Sequence, residues 1–176
     1  MNTPLRRYCG ILMHPTSLPG RYGVGDIGPE AYTFADYLSR SGVCLWQILP
    51  LGPTGFGNSP YAARSTFAGN ELLISLDLLH RDGLLETSDL ASPPPFPNDR
   101  VDFCMVDAWK TPLLKKAANT FLKTQAEHSD AYRKFCKDNA FWIDDYALFM
   151  VLYERHQDAR WFSVWDSEAG ERDSEI

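Results

Sequence analysis

Three glycines near the start of the chain have the spacing of a dinucleotide-binding fingerprint. Gly23, Gly25 and Gly28 form a G-x-G-x-x-G pattern, and the residues after them predict a helix. Such a fingerprint needs the first glycine directly after a strand and an acidic residue at the end of the next strand. Here eight residues separate the first apolar run from Gly23, and the second run ends in ILPLGP without a carboxylate. The pattern therefore favours a turn between strand and helix, with a dinucleotide oxidoreductase as a distant alternative.

A second stretch with chemical potential is the glycine- and proline-rich segment 52–70, GPTGFGNSPYAARSTFAGN. Its nineteen residues are more than a connection needs unless the loop has a function. Aromatic faces stack on the C–H faces of pyranose rings, while short polar side chains bind sugar hydroxyls. The loop supplies both kinds of side chain: Phe56, Tyr61 and Phe67 beside Asn58, Ser59 and Asn70. It therefore indicates a carbohydrate site; the alternative is that its aromatics form a small cluster that holds the loop in place.

Both segments follow short apolar runs that predict buried parallel strands, CGILMH at 9–14 and CLWQILPL at 44–51. Between the runs, Pro29 predicts the first turn of a helix whose apolar residues recur at helical spacing until Gly42. Strand, helix and strand with short connections form a right-handed βαβ unit. Function in parallel α/β folds gathers where strands end, so the two segments are interpreted as one functional region.

The rest of the chain predicts mainly helices. Residues 71–85 indicate a short strand and a helical turn, and the four prolines of 91–100 indicate a rigid connector. Thr111 and the proline after it resemble the N-cap and first residue of a helix. Further helices are predicted at about 129–138 and 139–156.

Composition excludes several classes of function. The chain has 17 Lys and Arg against 23 Asp and Glu, and it lacks the basic stripe of a nucleic-acid-binding protein. Four scattered cysteines and four scattered histidines predict no metal site and no disulfide framework, and each histidine is expected at the surface or hydrogen-bonded in the core. The sequence has neither a signal-like apolar start nor a membrane span, so a cytoplasmic protein without membrane contact is expected.

Three motifs together resemble one family. HPTSLPGRYGVGDIG, WQILPLGPTGFGNSPY and STFAGN are similar to the N-terminal part of amylomaltase, the 4-alpha-glucanotransferase or disproportionating enzyme of glycoside hydrolase family 77. The resemblance runs from about Tyr8 to His156, and RVDF, AWK and WIDDYALFMVL continue it in the same order. The sequence is thus identified as the N-terminal portion of a 4-alpha-glucanotransferase.

The resemblance implies an α/β fold, the N-terminal part of a (β/α)8 (TIM) barrel with a mostly helical insertion. The barrel is incomplete in this chain, because 176 residues fall short of the ~250 that a whole barrel usually needs. Residues 1–85 are then expected to hold the first barrel strands, helix and glucan-lining loops, and 86–160 the proline-rich connector and helical insertion. Residues 161–176 are expected to form a polar, disordered tail.

The resemblance also implies a substrate and the residues that bind it. Family members transfer a segment of a 1,4-alpha-glucan to glucose or another 1,4-alpha-glucan, with maltodextrins, glycogen or starch fragments as partners and no metal or organic cofactor. Ser59 and Tyr61 match family residues that line the glucan cleft. Phe56 and Phe103 fall where some members carry tyrosines of a second, surface glucan site, and here both hydroxyls are absent.

The implied chemistry is a retaining double displacement, which needs two carboxyl groups about 5–5.5 Å apart. The family places its nucleophile, acid/base and third carboxylate on later strands, beyond residue 176, so no catalytic residue is expected in this chain. Asp26, the nearest acid in the first loop, is assigned a turn or surface role. The chain alone is expected to be inactive and to need the missing C-terminal portion; the alternative is a non-catalytic maltodextrin-binding or complementing module.

Overall fold

The computed structural model describes residues 7–156 together with 160, 163 and 165. The predicted tail, 161–176, lies outside the described residues apart from two positions. The elements follow in the order β1 Gly10–Leu12, α1 Pro29–Arg40, β2 Leu45–Gln47, α2 Leu76–Arg81, α3 Phe103–Thr124, α4 Asp130–Asn139 and α5 Ile143–His156. The chain divides into two compact units, one up to Glu127 and one from His128. None of the helices in the described part of the chain is long and apolar enough to cross a membrane.

Strands β1 and β2 form a parallel pair in which Ile11 lies opposite Trp46. Helix α1 connects them, with Pro29 as its first residue. After its C-terminus the chain reaches Gly42, whose φ of 74° is the left-handed conformation that favours glycine at a helix end. The helix covers one face of the pair, where the rings of Phe34 and Trp46 meet edge-on with their centroids 5.0 Å apart. The βαβ unit is as predicted.

The expectation that both strands are buried is wrong. Side chains alternate across a strand, so Leu12, Leu45 and Gln47 lie on the face opposite Trp46 and α1. Leu12 is 60% exposed, and Leu45 is exposed as well. Within the described residues the sheet has two strands only, so nothing covers this face and each strand has one unpaired edge.

Two buried apolar clusters lie among the described residues of the first unit, and α3 contributes to both. The first cluster consists of Tyr22, Leu76, Leu85, Leu90 and Ala117. The second consists of Val24, Leu72 and Val106. Helix α3 also contacts α2 and a 3₁₀ turn at Glu71–Leu73. The core therefore lies between α3, the loop before α1 and the segment that contains α2.

The strand predicted within 71–85 is wrong, because the chain forms the 3₁₀ turn Glu71–Leu73 followed by α2. The side chain of Asn70 explains the turn: its Oδ1 accepts a hydrogen bond from the amide of Leu72 at 2.9 Å. This bond satisfies an amide that would otherwise lack a partner at the start of the turn.

The predicted start of the helix at Thr111 and Pro112 is also wrong, because α3 begins nine residues earlier, at Phe103. The carboxylate of Asp102 accepts a hydrogen bond from the amide of Met105 at 3.0 Å and caps the helix. Pro112 therefore lies inside the helix, at a cost of ~3 kcal/mol relative to alanine. Burial of the first turns of α3 outweighs that local preference.

The second unit contains α4 and α5. Ser129 caps α4, since its hydroxyl accepts a hydrogen bond from the amide of Tyr132 at 3.1 Å. Helix α5 begins at Ile143, later than the predicted start at 139. Its half-buried face carries aromatic side chains, and the rings of Phe149 and Tyr153 stack with centroids 6.2 Å apart.

Close packing explains the three glycines of the fingerprint. A Cβ atom on Gly25 would overlap with backbone atoms of the preceding turn, and one on Gly28 would overlap with the hydroxyl of Ser75. Gly23 has a φ of 78°, and a Cβ there would overlap with the ring of Phe96. The atoms that approach these glycines belong to the protein itself, which supports the interpretation as a turn.

Gly25→Ala is expected to lower the free energy of unfolding by about 1–3 kcal/mol, because backbone atoms cannot yield to the added methyl group. Gly69→Ala is the matched control, since nothing lies within 4 Å of a Cβ placed there. Its effect is expected to stay within about 0.5 kcal/mol. Urea unfolding followed by circular dichroism measures both, and equal stabilities of the two variants would contradict the packing explanation.

Candidate functional site

The loops that follow β1 and β2 leave the sheet at the same edge, because the strands are parallel. We refer to residues 13–28 as the first loop and to residues 52–70 as the second loop. Two hydrogen bonds join the strand ends: the amide of Met13 donates to the carbonyl of Gln47 at 3.0 Å, and the indole N–H of Trp46 donates to the carbonyl of Met13 at 2.7 Å. These bonds fix the ends of the two strands relative to each other, and the two loops follow from there.

His14 links the strand ends further and was not among the predicted site residues. The amide of Thr16 donates to His14 Nδ1 at 3.3 Å, and the hydroxyl oxygen of Thr16 lies 2.8 Å from the same nitrogen. Nε2 lies 3.4 Å from the carbonyl oxygen of Pro50, just before the second loop. His14 is thus a hydrogen-bonded histidine, as expected, and its place directly after β1 was the signal for its bridging position.

The second loop has an ordered backbone. Thr54 and Ala63 pair in an antiparallel bridge, and the amide of Gly55 donates to the carbonyl of Ala62 at 2.8 Å. Gly57 at the tip has a φ of 68°, which glycine adopts without strain. The loop is therefore a closed hairpin-like structure that holds its side chains in defined places.

The predicted glucan-contacting residues lie at the exposed end of this hairpin. Tyr61 is 75% exposed and Phe56 is 97% exposed, so neither of these two rings is buried inside the loop. Ser59 is half-buried, and its Oγ accepts a hydrogen bond from the amide of Tyr61 at 3.3 Å. One serine hydroxyl and one aromatic face are thus presented together, two residues apart.

The two residues of the predicted second glucan site have different surroundings. Phe56 is at the exposed tip of the second loop, whereas Phe103 is the first residue of α3 and packs against the second core cluster. The second glucan site stays a prediction.

Asp26 lies in the first loop, but it is not at the surface. Its side chain is 8% exposed, and its Oδ2 lies 3.6 Å from Nζ of Lys110, which is 0% exposed. Lys110 also donates from Nζ to the carbonyl of Leu72 at 2.7 Å. Sequence reasoning missed this lysine, although it interrupts the apolar stripe of α3 between the buried Val106 and Ala117.

Burial dominates the titration of this ion pair. Loss of hydration raises the pKa of Asp26 above the usual 3.8, while the Lys110 charge and the Ser75 hydroxyl oppose the rise and Glu30 adds to it. Loss of hydration likewise lowers the pKa of Lys110 below 10.5, and the charges of Asp26 and Asp77 oppose the decrease. The carboxylate of Asp26 is therefore buried and paired with Lys110.

The two loops offer little for carboxylate or metal chemistry. By sequence, Asp26 is the one carboxylate in the first loop, and the second loop contains none. Among the described residues there is also no group of three histidine, cysteine or acidic side chains placed to hold a metal ion. What the region presents is a surface of aromatic rings, a hydroxyl and backbone groups, which suits binding of a polyhydroxylated ligand.

Comparison with known proteins gives consistent matches. The family model described as 4-alpha-glucanotransferase, glycoside hydrolase family 77, matches residues 13–176. The chain is 46% identical to the 4-alpha-glucanotransferase of Synechocystis sp. over 97% of this chain and 34% of the relative. It is 47% identical to that of Thermus thermophilus over 89% of this chain and 31% of the relative. The chain thus spans about a third of the length of these curated relatives.

A solved structure has the same fold as this chain. It is the amylomaltase from Streptococcus agalactiae in complex with acarbose, which aligns with a TM-score of 0.81 and 37% sequence identity. The alignment covers 97% of this chain and 34% of that chain.

The buried pair predicts a pH dependence of stability. Because the pKa of Asp26 is raised in the folded protein, its contribution to stability is fully present below the unfolded value of 3.8 and is lost as the pH rises through the folded value. The contribution of Lys110, whose pKa is lowered, is present above 10.5 and is lost as the pH falls through its folded value. We therefore expect the double variant Asp26→Leu/Lys110→Met to gain stability relative to the wild type as the pH rises above 3.8.

Urea midpoints of the wild type and the double variant, measured from acid to neutral pH, give this difference directly. A difference that stays constant over that range would show that Asp26 titrates as it does in the unfolded chain.

Proposed function

This chain belongs to the 4-alpha-glucanotransferase family, and we propose that it supplies the glucan-contacting N-terminal portion of such an enzyme. The activity of the whole protein is then the transfer of a segment of a 1,4-alpha-D-glucan to glucose or to another 1,4-alpha-glucan. The observation that carries the proposal is the ordered second loop, which presents Ser59 and Tyr61 to solvent at the carboxyl end of a parallel strand. In α/β barrels the active site is built from the loops at this end.

The open sheet supports the proposal of an incomplete (β/α)8 barrel. In a barrel, the strand face opposite the helices points to the interior and is covered by the remaining strands. Here Leu12 and Leu45 lie on that face and are exposed, on the side opposite α1. We assign residues 1–85 to the barrel strands with their loops and 86–160 to the connector and helical insertion. The remaining strands and the reacting carboxylates are assigned to the C-terminal portion of a family-length protein.

The proposed role of the second loop is to bind and orient the glucan. The flat face of Tyr61 can stack on a glucose ring, and the hydroxyl of Ser59 can donate to or accept from a sugar hydroxyl beside it. Phe56 retains an aromatic face without a hydroxyl, so a second site with Phe103 would depend on stacking alone.

The proposed chemistry places the reacting groups outside these loops. A retaining double displacement needs a carboxylate nucleophile and a carboxylic acid that protonates the leaving oxygen. The one carboxylate of the two loops, Asp26, is paired with Lys110 in the interior. Residues 1–176 therefore contribute substrate contacts and a scaffold. The nucleophile and the acid that carry out the transfer belong to the rest of the protein.

The proposed stacking predicts that Tyr61→Ala weakens binding of maltoheptaose about fivefold, since a stacked aromatic contact contributes ~1 kcal/mol. Tyr61→Phe keeps the ring, so its affinity is expected to stay within about twofold of the wild type. Tyr37→Ala is the matched control, because Tyr37 is an exposed tyrosine on α1. Titration of the purified chain, followed by NMR shifts of the Ser59 and Tyr61 amides, measures all three; equal effects of Tyr61→Ala and Tyr37→Ala would contradict the contact.

The location of the reacting groups predicts that residues 1–176 alone do not convert maltotriose to glucose and longer oligosaccharides. Positioned acids and nucleophiles accelerate such reactions by orders of magnitude, and binding without them leaves the barrier in place. Chromatography of the products tests this, with a full-length family relative as positive control. Transfer by the chain alone would contradict the proposed location of the chemistry. Transfer that requires the added C-terminal portion supports it, and binding without transfer in that mixture favours a non-catalytic maltodextrin-binding module.

A further inference from the structure

The base of the second loop is closed by Asn70. Its amide donates to the carbonyl of Leu51 at 2.7 Å, which joins the last residue of the loop to the residue before its start. Its side-chain Oδ1 accepts from the amide of Leu72 at 2.9 Å, which joins the same residue to the turn Glu71–Leu73. The position of the second loop therefore depends on the position of this turn.

The carbonyl groups of the turn are all hydrogen-bonded, but one of them has a partner of a different kind. Backbone amides donate to the carbonyls of Asn70 and Glu71 at 3.1 Å and to that of Leu73 at 2.9 Å. The carbonyl of Leu72 instead accepts from the ammonium group of Lys110, at 2.7 Å. A buried carbonyl without a partner is costly, so the turn keeps this conformation only while a donor reaches Leu72.

An apolar residue at position 110 could not donate a hydrogen bond to the carbonyl of Leu72. The side chain lies between the buried Val106 and Ala117 of α3, where methionine or leucine would pack without a desolvation cost. A lysine there needs both an acceptor and a counter-charge, and it finds them in Leu72 and in Asp26 at 3.6 Å. The aliphatic part of its side chain extends from α3 to the turn, where the ammonium group donates to the carbonyl of Leu72.

We propose that Lys110 is a positioning residue for the second loop: it holds the turn through Leu72, and the turn holds the loop through Asn70. Asp26 keeps the ammonium group in place from the first loop. The inference rests on the proposed function for the ligand of the second loop, whereas the positioning itself does not depend on which ligand binds there. Helix α3 thus acts on the second loop through Leu72 and Asn70.

Amide hydrogen exchange of the purified chain, measured by NMR, tests the positioning. Gly55 and Asn70 report on the second loop through their hydrogen bonds to Ala62 and Leu51, and Val43 at the end of α1 is the reference amide, bonded to Leu38. The two test variants are Lys110→Met and Asp26→Leu/Lys110→Met; the second leaves no buried charge unpaired. The matched control is Leu76→Ala, which removes a fully buried side chain from the first core cluster.

In both Lys110 variants, exchange of Gly55 and Asn70 is expected to become about tenfold faster relative to Val43, because local opening of the loop becomes easier. In Leu76→Ala, which lowers global stability, the three amides are expected to accelerate together. Should Lys110→Met fail to fold, the double variant decides, since its pair of apolar side chains avoids a lone buried charge. Unchanged exchange of Gly55 and Asn70 relative to Val43 in the double variant would overturn the proposal.

Maltoheptaose titration of the same variants separates this proposal from the proposed function. The double variant is expected to bind maltoheptaose about fivefold more weakly than the wild type, because its second loop must become ordered on binding. Folded Leu76→Ala is expected to bind maltoheptaose with the affinity of the wild type. A wild-type chain that shows no maltoheptaose binding contradicts the proposed glucan contact; the exchange rates then still decide whether Lys110 positions the loop.

Discussion

The ammonium group of Lys110 fixes the arrangement of three segments that are far apart in the sequence. It lies without solvent exposure between the carboxylate of Asp26 in the first loop and the carbonyl of Leu72 in the turn. Removing two charges from water costs several kcal/mol for each ion, and good geometry with full hydrogen bonding must offset that cost. Helix α3, the first loop and the turn therefore share one arrangement in which this group is satisfied, and the second core cluster, with Val106 and Leu72, forms beside it.

The second loop combines a fixed base with an exposed tip. Its base is held by Asn70 and, through the turn, by the buried charge, whereas Tyr61 and Phe56 are largely in solvent. Such a division is typical of binding loops, in which a rigid scaffold places side chains that the fold itself does not need. The two exposed rings add little to the stability of the first unit.

Local patterns predicted the elements whose stability is local. The βαβ unit followed from two apolar runs, a proline at the helix start and Gly42 at its end, because these signals act within a few residues. The predicted start of α3 was wrong because the cap at Asp102 and the burial of Val106 outweigh the local preference of Pro112. The partner of Asp26 could not be predicted from spacing, since only the folded chain brings α3 beside the first loop. Contact of Ser59 and Tyr61 with a glucan was inferred from the family resemblance and remains a proposal.

The late position of Lys110 in the chain has a consequence for protein synthesis. Thirty-eight residues separate Leu72 from Lys110, so at about 5–20 residues per second the ribosome adds the lysine ~2–8 s after the turn. During that interval Lys110 is not available as a donor to the carbonyl of Leu72. The hydrogen bonds within the second loop can form before that point, whereas the support that Lys110 gives to its base is added only when α3 folds onto the turn.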